Sequence, residues 1–208
     1  MAETPRAGCS YIRIMKTHPV LATLDTLGDP KRRPVVTGVV FAVTAATSIA
    51  QLVDHPLLGR FQRDPAIAHG EWWRLVTASF FQDGWLLGTI FNLFILAVVG
   101  LRAERVFGHW RWPVLYFAAA LFGNVMSYLW LQPVGAGNSM AVAGLVGALA
   151  TAVLCSQAPN RFAALAVPAL AVVDTALGDN HGLPALFGMA LGWLLLGRGR
   201  RGAAHLGR

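Results

Sequence analysis

Ser139-Met140-Ala141-Val142-Ala143-Gly144-Leu145-Val146-Gly147-Ala148-Leu149-Ala150-Thr151-Ala152-Val153-Leu154-Cys155 contains no charged residue and no proline. As a helix it would run about 25 Å at 1.5 Å per residue, close to the roughly 30 Å hydrocarbon core of a bilayer. Small residues recur along it. Ala143, Gly147 and Ala150 follow Ser139 at intervals of three and four, a face that lets a second helix approach closely in lipid. Its first residue is a serine, preceded by Gly137-Asn138. A hydroxyl there is either an ordinary helix-start group or, with a base beside it, a nucleophile.

Five further apolar blocks stand out: 34–53, 85–101, 113–131, 162–177 and 182–197. The 208-residue chain is 55% hydrophobic and 13% charged, with a mean hydropathy of +0.53. Soluble domains carry about 25% charged residues. The blocks therefore read as spans of one integral membrane domain, and all should be helices, because hydrocarbon offers backbone groups no other partner. The first block begins too late for a usual cleavable leader. Cys9 and Cys155 form no disulfide or metal pattern.

The net charge of +7 points to cytoplasmic flanks and not to nucleic acid, because of where the charges fall. With the N-terminus inside, fourteen of the seventeen Lys and Arg lie on inner segments, and only Arg60, Arg63 and Arg74 lie outside. The positive-inside rule then predicts six spans with both termini cytoplasmic. Residues 1–33 form a cytoplasmic tail in which Met15, Val20, Leu21, Leu24 and Leu27 trace a weak amphipathic helix, and 198–208 form a basic cytoplasmic tail. The outer connection 54–84 is the longest. It mixes Trp72, Trp73, Phe80 and Phe81 with its three arginines, which suits a structured element in the outer headgroup region. The segments 102–112 and 132–138 read as short loops, with Glu104 and Arg105 making inner-loop caps and ion pairs.

This topology puts Ser139 and His181 at the outer starts of the fourth and sixth spans. Gly188 and Gly192 follow His181 on one helical face, so both spans can approach closely. Close approach is what an Oγ-to-imidazole hydrogen bond of about 2.6–3.2 Å needs. Asn138 is a candidate N-cap for the fourth span, and Asp179 or Asn180 for the sixth. The first-turn N–H groups at Ser139 can receive an oxyanion. Asp174, an acid near the outer end of the fifth span, is a candidate third member that would orient His181. It is also the only obvious intramembrane charge that a transporter or channel could use, and no internal repeat supports that alternative.

At these residues the chain resembles the rhomboid family of intramembrane serine proteases. The resemblance runs from about Gly70 to Gly197. Glu71-Trp72-Trp73-Arg74-Leu75-Val76-Thr77 with Phe80 is similar to the family's Trp-Arg loop motif, and Asn92 to the Asn of its second span. Gly100, Glu104 and Gly108 resemble its Gly-Glu-Gly turn, and Gly123-Asn124 a recurring pair in its third span. Ser139, Ala141, Gly144 and Leu145 match its nucleophile motif, and His181 its catalytic His. The resemblance implies an all-α, six-transmembrane-helix bundle with a membrane-embedded loop between the first two spans. It implies a Ser139–His181 dyad, an oxyanion site made by the Ser139 N–H and the Asn92 side chain, and cleavage of transmembrane substrates near the outer face of the cell membrane. No metal, nucleotide or other cofactor is implied.

The chain departs from the family pattern at several positions. Met140 stands where a Gly follows the nucleophile, and is expected to crowd the serine or the substrate backbone. Gly88 stands where a His supplies an oxyanion donor, Gln82 replaces a loop His, and Pro184 replaces a small residue after His181. From Gln82 to Asn92 the chain carries one residue more than the usual spacing. Losing one oxyanion donor typically costs on the order of 10²–10³ in rate. The departures leave a second reading open, a weak or inactive relative that binds membrane-protein clients.

Overall fold

The computed structural model describes residues 18–205, and Cys9 and Met15 lie outside them. Eight α-helices follow one another among the described residues: α1 Pro19–Leu27, α2 Val35–Val53, α3 Pro56–Phe61, α4 Arg74–Thr77, α5 Trp85–Met126, α6 Ser139–Leu154, α7 Ala166–Ala176 and α8 Gly182–His205. No strand occurs there beyond one isolated antiparallel bridge between Arg63 and Gly135. All six apolar blocks are helical, and α8 continues past Gly197 to His205. Two helical stretches, Val35–Val53 and Trp85–Leu131, are long and apolar enough by themselves to cross a membrane.

The segment 102–112, expected as a loop, is helical up to an elbow in α5. Trp112 Nε1 donates to Gly100 O at 3.0 Å. Twelve residues of straight helix would separate them by about 18 Å, so the chain folds back on itself. It does so at Gly108, whose φ of 83° lies where side chains are disfavoured. Glu104 is fully buried in this elbow and accepts the otherwise free N–H groups of Val36 (2.9 Å) and Thr37 (2.7 Å) at the start of α2. His109 Nδ1 lies 2.6 Å from the same carboxylate. Burial pushes the Glu104 carboxyl up, but these hydrogen bonds outweigh it and hold the group below the usual carboxylate range. Glu104 thus caps one helix from another, which is how the elbow is tied to α2.

α6 lies at the centre, packed on α5 and α8. The approach to α8 is backbone to backbone: a Cβ on Gly147 would stand 1.9 Å from Ala185 O, and one on Gly188 2.0 Å from Gly144 O. Thr151 Oγ1 donates across the same seam to Met189 O at 3.1 Å. Gly188 and Gly192 take the expected part on α8. On α6 the contact stripe is Gly144, Gly147, Ala148 and Thr151, and not Ala143–Gly147–Ala150. Ala143 lines one cavity, and Ala150 lines another shared with residues of α1 and α5. Both stripes obey the three-and-four spacing, so a helix rich in small residues leaves the choice to its neighbours.

Bulky apolar side chains point outward from the bundle, among them Val39 and Val43 on α2, Ile90 and Phe94 on α5, and Val172 and Val173 on α7. Water-soluble monomers rarely expose so continuous an apolar surface. The connection 54–84 is structured, as expected, by α3, α4 and a 3-10 turn at Pro65–His69. Two of its three arginines behave otherwise than expected. Arg63 and Arg74 are 1% and 8% exposed. Arg74 bonds Glu71 (2.5 Å), Asp64 (3.2 Å) and Gly59 O (2.8 Å), so it knits the loop together while Trp72 and Trp73 face out.

Candidate active site

Ser139 is delivered by a segment clamped on both sides. Arg63 and Gly135 exchange two backbone hydrogen bonds of 2.9 and 3.0 Å, and Gly137 N–H donates to Ala78 O at 2.8 Å. The buried Arg63 guanidinium donates to Gln132 O and to the Asn124 side-chain oxygen. Asn124 Nδ2 in turn donates to Leu75 O at 2.9 Å. Loop 54–84, α5 and residues 132–137 therefore form one polar clamp that fixes where α6 begins. Sequence reasoning singled out Asn124 only as half of a recurring pair. Its burial in the middle of an apolar block was the available signal.

At that start, Ser139 Oγ lies 2.8 Å from His181 Nε2, a pair contributed by α6 and by the turn entering α8. Val142 N–H is the first to bond back into α6, to Asn138 O at 3.0 Å, which leaves the Ser139 N–H outside the helix's own ladder. His181 Nδ1 lies 2.6 Å from Asp179 Oδ1. The structure thus corrects the expectation for Asp174: it lines the same cavity, but the carboxylate on the ring is Asp179. Asp179 was expected as a helix cap. It accepts the His181 N–H at 2.8 Å, an Asx turn that places acid and ring together. Burial pushes the Asp179 carboxyl up, and its hydrogen bonds to the His181 N–H and ring outweigh that and lower it overall.

Asn138 sits at the N-cap position of α6 without capping it. Its fully buried side chain instead accepts from Gln82 Nε2 at 3.4 Å. Gln82 Oε1 accepts from Asn92 Nδ2 at 2.8 Å, so the Asn92 amide is held by one of its two N–H bonds and the other stays available. A Cβ on Gly137 would fall 3.5 Å from Ser139 Oγ and 3.8 Å from Asn92 Nδ2, so the bare α-carbon keeps open the space between them. Gly88, one turn before Asn92, has nothing within 4 Å of its missing Cβ. Met140 corrects another expectation. It is 3% exposed, its Sδ receives the Ser127 hydroxyl at 3.5 Å, and its Cβ and Sδ face Gly123. Its side chain is absorbed by the helix interface and does not cover the serine.

Ser139, His181, Asn92, Asp83 and Asp174 line a cavity of about 540 Å³ whose apolar wall includes Phe91, Val146 and Leu170. A hydroxyl, a base and an amide side chain, those of Ser139, His181 and Asn92, thus share its lining. A family model described as Rhomboid domain matches residues 69–198, more than half of the chain. The chain belongs to the rhomboid family. This rhomboid is 39% identical over 83 residues to Rhomboid protease GluP of Bacillus subtilis, a match covering 40% of the chain and 16% of that relative. It is 29% identical over 150 residues to the mitochondrial RHOMBOID-like protein 6 of Arabidopsis thaliana, covering 67% and 48%. A third match, to the putative rhomboid protease YdcA of Bacillus subtilis, is 30% identical over 137 residues and covers 62% and 68%. The chain spans less than half the length of the first two relatives.

Proposed function

We propose that this rhomboid is an intramembrane serine endopeptidase that cleaves transmembrane-helix substrates near the outer face of the cell membrane. The observation that carries the reading is the 2.8 Å contact of Ser139 Oγ with His181 Nε2 on the wall of the 540 Å³ cavity. In this reading the helical hairpin of α5 supplies two spans, and α2, α6, α7 and α8 supply the other four. Residues 34–197 form the membrane domain and both termini are cytoplasmic. The loop 54–84 lies in the outer leaflet.

The chemistry follows from the geometry. His181 Nε2 takes the Ser139 Oγ proton as Oγ attacks the scissile carbonyl carbon. The carbonyl oxygen gains the charge and is met by the Ser139 N–H and the Asn92 amide. His181 returns the proton to the leaving nitrogen as the C–N bond breaks. Water then attacks the acyl-serine ester, its proton passes to His181, and Oγ leaves reprotonated. Gly88 contributes no donor, so turnover is expected on the order of 10²–10³ below that of a site with a second side-chain donor.

The test is cleavage of a single-span reporter by purified protein in liposomes, beside Ser139→Ala. Cleavage lost in the variant supports the reading, and cleavage persisting rejects the nucleophile. Reporter bound but uncut by both proteins would favour the client-binding alternative, for which the missing donor at Gly88 is the supporting observation.

A further inference from the structure

Asp179 Oδ1 accepts from two points of one residue, the backbone N–H of His181 at 2.8 Å and its ring Nδ1 at 2.6 Å. The turn that carries it is held on both sides. Asp179 N–H bonds Asp174 O at 2.8 Å, Gly178 reverses the chain with a φ of 80°, and Asn180 Nδ2 donates to Gln132 Oε1 at 3.1 Å. An ionised carboxylate has lone pairs and no proton, so the hydrogen in the Asp179–His181 contact belongs to Nδ1. A neutral imidazole protonated at Nδ1 must present a lone pair at Nε2. Nε2 is the atom 2.8 Å from Ser139 Oγ. The carboxylate thus selects the one tautomer that can take the serine proton.

We propose that Asp179 is a positioning residue, fixing the ring orientation and tautomer of His181 and balancing the charge the ring gains, so that the dyad works as a Ser139–His181–Asp179 triad. The proposal rests on the serine-protease reading above. During attack the Oγ proton moves to Nε2, the Nδ1 proton stays on the ring, and Asp179 remains ionised. The Asp179 side chain is 46% exposed. Water screens it, so the effect is smaller than the roughly 10⁴-fold loss when a buried triad aspartate becomes Asn.

The test uses the full chain in detergent or liposomes with the single-span reporter. Asp179→Asn keeps an oxygen for the His181 N–H, so the turn survives, but the group is neutral: it no longer balances the charge the ring gains, and its NH₂ no longer excludes the tautomer in which Nδ1 accepts. The expected result is a roughly tenfold to hundredfold fall in kcat with KM and melting temperature unchanged. Asp179→Glu is expected to recover part of the loss. A low-field Nδ1 proton signal in the NMR spectrum should be present in the wild type and absent in Asp179→Asn. A wild type that cleaves and an Asp179→Asn variant with equal kcat overturn the proposal and leave the dyad standing. A wild type that does not cleave overturns the protease reading instead. The proton signal then decides the pairing alone, and its absence from the wild type overturns it.

Discussion

Gln51 on α2 and Gln82 beside the candidate site hold each other by two hydrogen bonds. Gln51 Nε2 donates to Gln82 O at 2.5 Å, and Gln82 N–H donates to Gln51 Oε1 at 3.1 Å. The side chain of Gln82, 1% exposed, is then free to reach Asn92 and Asn138. Gln82→Leu leaves both amides without that partner, so the Asn92 side chain loses its fixed direction. The expected outcome is a fall in kcat of about tenfold or more with KM little changed, against a ceiling of the 10²–10³ typical of a lost oxyanion donor. Steady-state kinetics on the reporter check it. Gln82→His, which keeps a ring nitrogen to accept from Asn92, should retain more activity.

Gly88→His should fold, because the missing Cβ meets nothing within 4 Å. It adds a donor one turn from Asn92. If the imidazole reaches the oxyanion, kcat rises toward the 10²–10³ that one donor supplies. Reporter turnover and thermal unfolding of the same preparation give the result.

Met140→Gly is expected to lose stability and not to uncover the serine. The Met140 side chain fills the space against Gly123 and Ser127. Deleting it leaves a cavity costing about 2–5 kcal/mol. A lower melting temperature without a rise in reporter turnover is the outcome to look for.

Gly147→Leu should prevent α6 and α8 from meeting. Its Cβ would stand 1.9 Å from a backbone oxygen that has no freedom to move away. Overpacking typically costs about 1–3 kcal/mol and occasionally more, and a backbone obstacle puts this site at the upper end. Loss of folded protein in size-exclusion chromatography, alongside normal behaviour of Ala143→Leu, would mark the true contact stripe. Ala143 faces the cavity, so that second substitution should alter substrate affinity and spare the fold.

Glu104 predicts an acid limb to stability. Its carboxyl is lowered in the folded protein. A lowered carboxylate stabilises the fold above its unfolded value of about 4.3 and loses that contribution as pH falls through the lower folded value. Melting temperature should therefore hold through neutral pH and drop below about pH 4. Glu104→Ala should flatten that limb and cost on the order of 2 kcal/mol at neutral pH, because two N–H groups of α2 lose their acceptor.

The pairing of Ser139 with His181 could be read from the chain because two separate one-dimensional signals agree. The distribution of Arg and Lys predicts both residues on one side, and small residues allow their helices to meet. Asn92 and Gln82 were legible as polar groups near that level, but their bond to each other was not. Asp179 was legible as a turn residue, and which acid reaches the ring was not. Asp174 lies within an apolar block and Asp179 in a loop of only four residues, and a linear reading favours the acid inside the block.

The sequence alone determined that this chain is helical throughout its apolar blocks and where charge excludes it from the hydrocarbon. Uncharged runs of that length have no other way to satisfy their backbones. Tertiary structure decided the rest: which stripe of α6 meets α8, that α5 folds back at Gly108, that Arg63 and Arg74 turn inward, and that Met140 packs away from Ser139. Each of these depends on which atoms from distant parts of the chain compete for the same space or the same hydrogen bond. That competition is settled only once the helices are in contact.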